Sequence, residues 1–200
     1  MAVVDTVSRI MDWLAEDVCP LVSLKLPDTS KQDAGYEFKE VHPYVLGMYW
    51  PTSRQLLPPG VEDVQPGVLV QVVDGTDEVG GDSETLQIRL HLSAWNPGRH
   101  GGDVWVPSEG RFIRSEADTF RPGYDDGWRD AWSFLDTVKR EVKNAPTFGG
   151  YAAVDRTRPV TFGPYEQEGS VVDFYPYFFA HVDFYVVENV PPSVRYAQYL

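Results

Sequence analysis

Cysteine, basic charge and long apolar runs are all scarce in this sequence. Cys19 is the one cysteine, so no intrachain disulfide can form. A lone cysteine reads as a small core hydrophobe and fits a reducing compartment. Lys and Arg number 17 against 30 Asp and Glu, for a net charge of -13. Affinity for nucleic acid comes largely from Lys and Arg neutralising phosphates, so gripping a phosphate backbone is not expected to be the main task. An anionic membrane surface is disfavoured for the same reason. The longest apolar stretches, Tyr177–Val182 and Phe184–Val187, fall far short of the roughly 18–20 residues of a spanning helix. No basic region followed by a long apolar run opens the chain, so no secretory signal is expected.

Chemical motifs are equally thin. There is no Gly-x-Ser-x-Gly elbow and no Gly-x-x-x-x-Gly-Lys phosphate loop. Gly81-Asp82-Ser83 echoes a lipase-like block, but no late Asp-x-x-His accompanies it. The histidines His42, His91, His100 and His181 lie far apart, without the close spacing of a metal site. His181 and Asp183 point to one strand face, but a third ligand would have to come from elsewhere. Asp74, Asp77, Glu78, Asp82 and Glu84 crowd one segment; a calcium loop would need Gly at its sixth position, and Val79 stands there. No catalytic, cofactor-binding or metal-binding residue is nominated, and the expectation is a protein that is not an enzyme.

What is present is enough apolar material for a core. Hydrophobic residues make up 42% and aromatics 14% of 200 residues, which favours one folded α+β domain. The expected domain spans 1–188, with 189–200 as a C-terminal tail. Val7, Ile10, Met11 and Leu14 predict a helix over 5–17, capped at Asp5 or Thr6 and stopped by Pro20. Prolines punctuate 27–67, which reads as irregular. Val68–Val73 predicts a buried strand, and Asp74–Glu84 carries turn chemistry. From Thr85 to Trp95 the alternation is strict: Leu86, Ile88, Leu90, Leu92 and Ala94 share one face, and Thr85, Gln87, Arg89, His91 and Ser93 the other. The two strands form a long hairpin in a mixed or antiparallel sheet. Residues 96–124 read as a long loop, with Val104–Val106 and Arg111–Ile113 able to pair inside it.

Asp126–Lys143 predicts the strongest helix, with Trp128, Trp132, Leu135, Val138 and Val142 as its core stripe. Both helices are expected to pack on the sheet. Phe148–Val154 and Val160–Phe162 are candidate short strands. Phe174–Val187 predicts a long aromatic strand. Phe178, Ala180, Val182, Phe184 and Val186 make its core face. Tyr177, Phe179, His181, Asp183 and Tyr185 make a mixed face of the kind found at interfaces, and they are the candidate subunit contacts. The six Trp and eleven Tyr leave a carbohydrate- or ligand-binding module as an alternative of a different class.

One order of features is more specific. Gly-Tyr-Asp-Asp-Gly-Trp at 123–128 opens the helix, and Tyr175-Pro176-Tyr177-Phe178 opens the last strand. Leu57-Pro58-Pro59-Gly60 and the two hairpin strands lie upstream. Over roughly 57–95 and 124–190 this resembles the tail terminator and tail-completion proteins of long-tailed bacteriophages, with Phe178 where that family carries tryptophan. Residues 27–67 and 96–124 are longer than the family's minimal pattern. The resemblance implies a virion protein of the tail or neck, assembled in the host cytoplasm without a cofactor. Its partners would be copies of itself in a ring, typically six, together with the tail tube protein and the head-side connector or stopper. DNA would pass through without specific binding, since six copies would bring six times the charge of one chain and a channel wall of that sign repels it. Other neck, head-completion or tail tube proteins share this outline.

Overall fold

The computed structural model describes residues 2–27, 38–51, 65–77, 83–96, 104–108, 111–115, 127–145, 147–150, 152–167, 169–171 and 176–189. The fold is α+β. Helix α1 (Ala2–Trp13) runs into a wider helical turn at Leu14–Val18 and a tight one at Cys19–Leu21. It begins three residues before the expected start, so Asp5 and Thr6 lie within its first turns and do not cap it. Pro20 is accommodated in the closing turn. Val7, Ile10, Trp13, Leu14 and Val18 are buried, so the apolar stripe also takes in Trp13.

Strands β1 (Leu24–Pro27) and β2 (Phe38–Val41) pair antiparallel, and β3 (Tyr44–Gly47) pairs parallel with β4 (Gly67–Asp77). The segment expected to be irregular thus contributes two strands. Each has only four residues, too short to leave a period in the sequence. Strand β5 (Ser83–Trp95) returns antiparallel along β4. The hairpin is longer than expected: β4 continues through the Asp74-Gly75 turn signal to Asp77, which pairs with Glu84. The ladder absorbs an extra residue at Val73, between Val72 and Asp74, and the Gly75 amide donates to Asp74 Oδ1 at 2.8 Å. A bulge satisfies the same Gly chemistry as a turn.

Strands β6 (Val104–Ser108) and β7 (Arg111–Ser115) form the small hairpin within the long loop. Helix α2 (Gly127–Asn144) follows, then β8 (Ala152–Val154), β9 (Thr161–Pro164), the short pair β10 (Glu166–Gln167) and β11 (Ser170–Val171), and finally β12 (Tyr177–Asn189). The main sheet has the order β3-β4-β5-β12-β8, with β9 also beside β12. Residues 190–200, read as a tail, lie outside the described residues, as do His100 and the stretch 78–82.

The helices cover one face of this sheet: α1 lies over β3 and β4, and α2 over β5 and β12. The core between them takes Val68 and Val70 from β4, Leu86 to Ala94 from β5, and Ala180, Val182, Phe184 and Val186 from β12. Cys19 is buried among them, and burial pushes its thiol up to about 12. It remains protonated and poorly nucleophilic. Trp13 meets Phe148 edge-on at 5.5 Å, joining α1 to the segment after α2.

Helix α2 corrects one core assignment. Leu135, Val138 and Val142 are buried as their spacing predicts, but so are Gly127, Ala131 and Phe134. Trp128 is 43% exposed, with the Arg129 guanidinium over its ring. Trp132 and Phe178 are half-buried at the edge of the core. The cause is a close approach. A β-carbon on Gly127 would stand 2.6 Å from Phe178 Cε2 and 2.9 Å from the Asn96 carbonyl oxygen. Only small residues fit on the side that touches the sheet here, so Gly127 and Ala131 face inward and the tryptophans are turned aside. Asn96 fixes the approach: it is buried, its Nδ2 donates to Asp130 at 2.7 Å, its Oδ1 accepts from Lys25 at 3.1 Å, and its backbone amide donates to Pro176 O at 2.9 Å.

Three substitutions separate this packing from the one the spacing suggests. Phe134→Ala is expected to cost about 3–5 kcal/mol, and Trp128→Ala at most about 0.5 kcal/mol. Gly127→Ala, which helix propensity alone would favour by about 1 kcal/mol, is expected instead to destabilise by about 1–3 kcal/mol through overpacking. Urea denaturation of the three variants gives the order directly.

Candidate functional site

The second face of the main sheet carries the polar chemistry. Alternation on β5 and β12 sends Gln87, Arg89 and His91, and Tyr177, Phe179, His181, Asp183 and Tyr185, to the side away from the helices. Antiparallel register then sets Asp183 opposite Arg89, His181 opposite His91, and Tyr185 opposite Gln87. On the outer flank, β9 places Gly163 opposite His181.

Asp183 and Arg89 form a two-pronged ion pair. Arg89 Nε donates to Oδ1 at 2.7 Å and Nη2 donates to Oδ2 at 2.6 Å. Asp183 is 5% exposed. This corrects its reading as a subunit contact: its carboxylate is covered and engaged within the subunit. The hydrogen bonds that Arg89 donates to Asp183 hold the guanidinium in its charged form, above its ordinary value. Such a pair is costly to break on one side only.

The two histidines are each anchored by one ring nitrogen. His91 Nε2 donates to Gln71 Oε1 at 2.7 Å, and His181 Nδ1 donates to the Pro164 carbonyl at 3.0 Å. The acceptors fix opposite tautomers in the two rings. The His181 ring lies so close to β9 that a β-carbon on Gly163 would stand 3.3 Å from its Cε1. Tyr165 leans over His91, ring centres 5.8 Å apart. His91 is pushed down from 6.5 to about 4, first by burial and then by the charge of Arg89.

Gln71, Arg89, His91, Tyr165, Glu166 and His181 line a polar cleft of about 530 Å³. Beside it Tyr185 lies under the Arg158 guanidinium at 4.3 Å. Arg158 is held by Asp155 at 3.4 Å. Hydrogen bonds from Thr157 keep the Asp155 carboxyl below its ordinary value. Tyr177, Phe179, His181 and Tyr185 are all half-buried. At the other end of this face Leu69, Ser93 and Trp95 are buried, and the Ser93 hydroxyl bonds both to the amide and to the carbonyl of Gly67.

His181 and Asp183, which share this strand face, each have a different partner: the Pro164 carbonyl and Arg89. Among the described residues, no group of three or more His, Cys, Asp or Glu is placed to hold a metal ion. His42, the other described histidine, donates from Nδ1 to the Val22 carbonyl at 2.8 Å and lies away from this face. No described helix is long and apolar enough to cross a membrane. Arg89, His91, Gln71 and Tyr165 were not nominated from the sequence. Alternation gave the facing of Arg89 and His91, but only the β5–β12 register shows that they stand opposite Asp183 and His181. Compared with known families and with curated proteins, the chain matches no family model and no curated sequence.

His91 gives a pH dependence. The unfolded chain takes up the imidazole proton near 6.5, and the folded chain not until about 4. Lowering the pH through that window therefore favours unfolding, and the stabilisation from neutral His91 is complete above it. Urea midpoints between pH 7 and pH 4 are expected to fall less steeply for His91→Gln than for the wild type.

Proposed function

We propose that the chain is a non-enzymatic subunit of a phage tail-end ring, one that terminates the tail tube and meets the head-side connector. The observation that supports this most is the chemistry of the open face. Its arginine and its two histidines are engaged within the subunit: Arg89 by Asp183, His91 by Gln71, His181 by Pro164. Around them stand Tyr165, Tyr177, Phe179 and Tyr185. A face of aromatics and internally paired polar groups loses little on desolvation and offers area for contact, which suits association better than proton transfer. The resemblance of the 123–128 and 175–178 motifs supplies the class of assembly. The net charge of -13 suits a wall past which DNA slides.

A ligand-binding module remains the second reading, and the polar cleft is the observation that favours it. It would predict saturable shifts of the His91 and His181 resonances with a small polar ligand, on a protein that stays monomeric.

Mass photometry and negative-stain imaging of the purified chain, alone and with tail tube protein, test the first reading. Rings with a central hole are expected. Tyr185→Ser and Phe179→Ser are expected to reduce the ring fraction at least about tenfold, the scale of an interface anchor, while the monomer's melting temperature changes little. Monomers alone under both conditions would overturn the proposal.

A further inference from the structure

The polar cleft holds more hydrogen-bonding capacity than the subunit itself uses. Arg89 uses Nε and Nη2 on Asp183, which leaves the hydrogens of Nη1 to donate. Gln71 accepts from His91 through Oε1, so its amide hydrogens are a second donor. The two imidazoles are left with the opposite need. His91 donates from Nε2 and His181 from Nδ1, so His91 Nδ1 and His181 Nε2 each keep a lone pair. Neither nitrogen has a hydrogen-bond partner among the described residues. Burial and the charge of Arg89 hold His91 down at about 4, so its lone pair is kept at neutral pH. Glu166, exposed on β10, adds a carboxylate as a third acceptor. The Tyr165 ring, 38% exposed, lines the same space.

We propose that this cleft binds a neutral saccharide, whose hydroxyls accept from Arg89 and Gln71 and donate to His91, His181 and Glu166, with one sugar face against Tyr165. The inference rests on the ligand-binding reading and names the ligand. Donors and acceptors stand side by side here, and a hydroxyl fills both roles. An anion such as phosphate mainly accepts, and it would meet two lone pairs and the Glu166 carboxylate. A cation such as an ammonium only donates, and it would meet the Arg89 guanidinium. A ring with adjacent hydroxyls avoids both conflicts, and its C–H face gives Tyr165 an apolar surface to cover. Selectivity follows from the same pairing, because a ligand that lacks one hydroxyl leaves a group of the cleft without a partner. The volume of about 530 Å³ is that of a small-molecule site. Tyr185 and Phe179, the ring anchors, are not among the described residues that line the cleft, so saccharide binding and ring formation are read separately.

The test is an NMR titration of the full chain at pH 7 that follows the imidazole signals of His91 and His181. Glucose, galactose, mannose and N-acetylglucosamine are the probes, each up to about 100 mM, which reveals a Kd as weak as about 10 mM. Sodium phosphate and putrescine are the charged probes, at matched ionic strength. At least one saccharide is expected to give saturable shifts, and neither charged probe. Tyr165→Ala and Glu166→Ala are expected to weaken that binding at least about tenfold. Their melting temperatures are expected to match the wild type, since both side chains are exposed. Saturable shifts with phosphate or putrescine and none with the saccharides would overturn the saccharide assignment and leave the ligand-binding reading standing. No shift with any probe would overturn both. Saccharide affinity unchanged in either variant would put the binding outside the cleft and overturn the site.

Discussion

Antiparallel pairing ties β12 to β5 along its whole length, from Tyr177 opposite Trp95 to Asn189 opposite Ser83. Both strands alternate, and their apolar positions lie on the same side only in this parity of register. A slip of one residue would send Ala180, Val182, Phe184 and Val186 to the solvent side and the Arg89 partner into the core. Burial of two matched apolar rows makes such a slip prohibitive. Everything else is added to this pair. β4 extends it on one flank, β8 and β9 on the other, and α2 lies across it.

The same register writes the chemistry of the open face. Arg89 opposite Asp183 gives a covered ion pair, and His91 opposite His181 gives two imidazoles whose neighbours on β4 and β9 fix their protons. Here the polar groups are engaged with one another, and the aromatic rings around them supply contact area. The register also has a cost at its far end, where Glu84 and Glu188 are forced together under Thr6.

Much of the fold was legible because it is periodic. The alternation of Leu86 to Ala94, the last strand from Phe178 to Val186 and the C-terminal half of α2 each carry a pattern longer than four residues. What was not legible depends on contacts across the fold. β2 and β3 are too short to show a period. The side of α2 that faces the sheet near its start is set by Gly127 against Phe178 and Asn96, so size decided it and hydrophobicity misled: Trp128 is the more apolar residue and stands outside. The candidate face was legible as a face, but not as a set of pairs. Nothing local to Asp183 says that Arg89, 94 residues earlier, will cover it.

Native-state hydrogen exchange tests the central claim, that the β5–β12 ladder is the foundation of the fold. The account predicts that the ladder amides of Ile88 to Leu92 and Ala180 to Phe184 are the slowest in the chain and exchange only through global unfolding. The opposite result would be β12 amides that open at a lower free energy, leaving the β4–β5 hairpin protected without them. In that case β12 would be an addition to a core formed by other strands, and the register could not be what sorts the two faces.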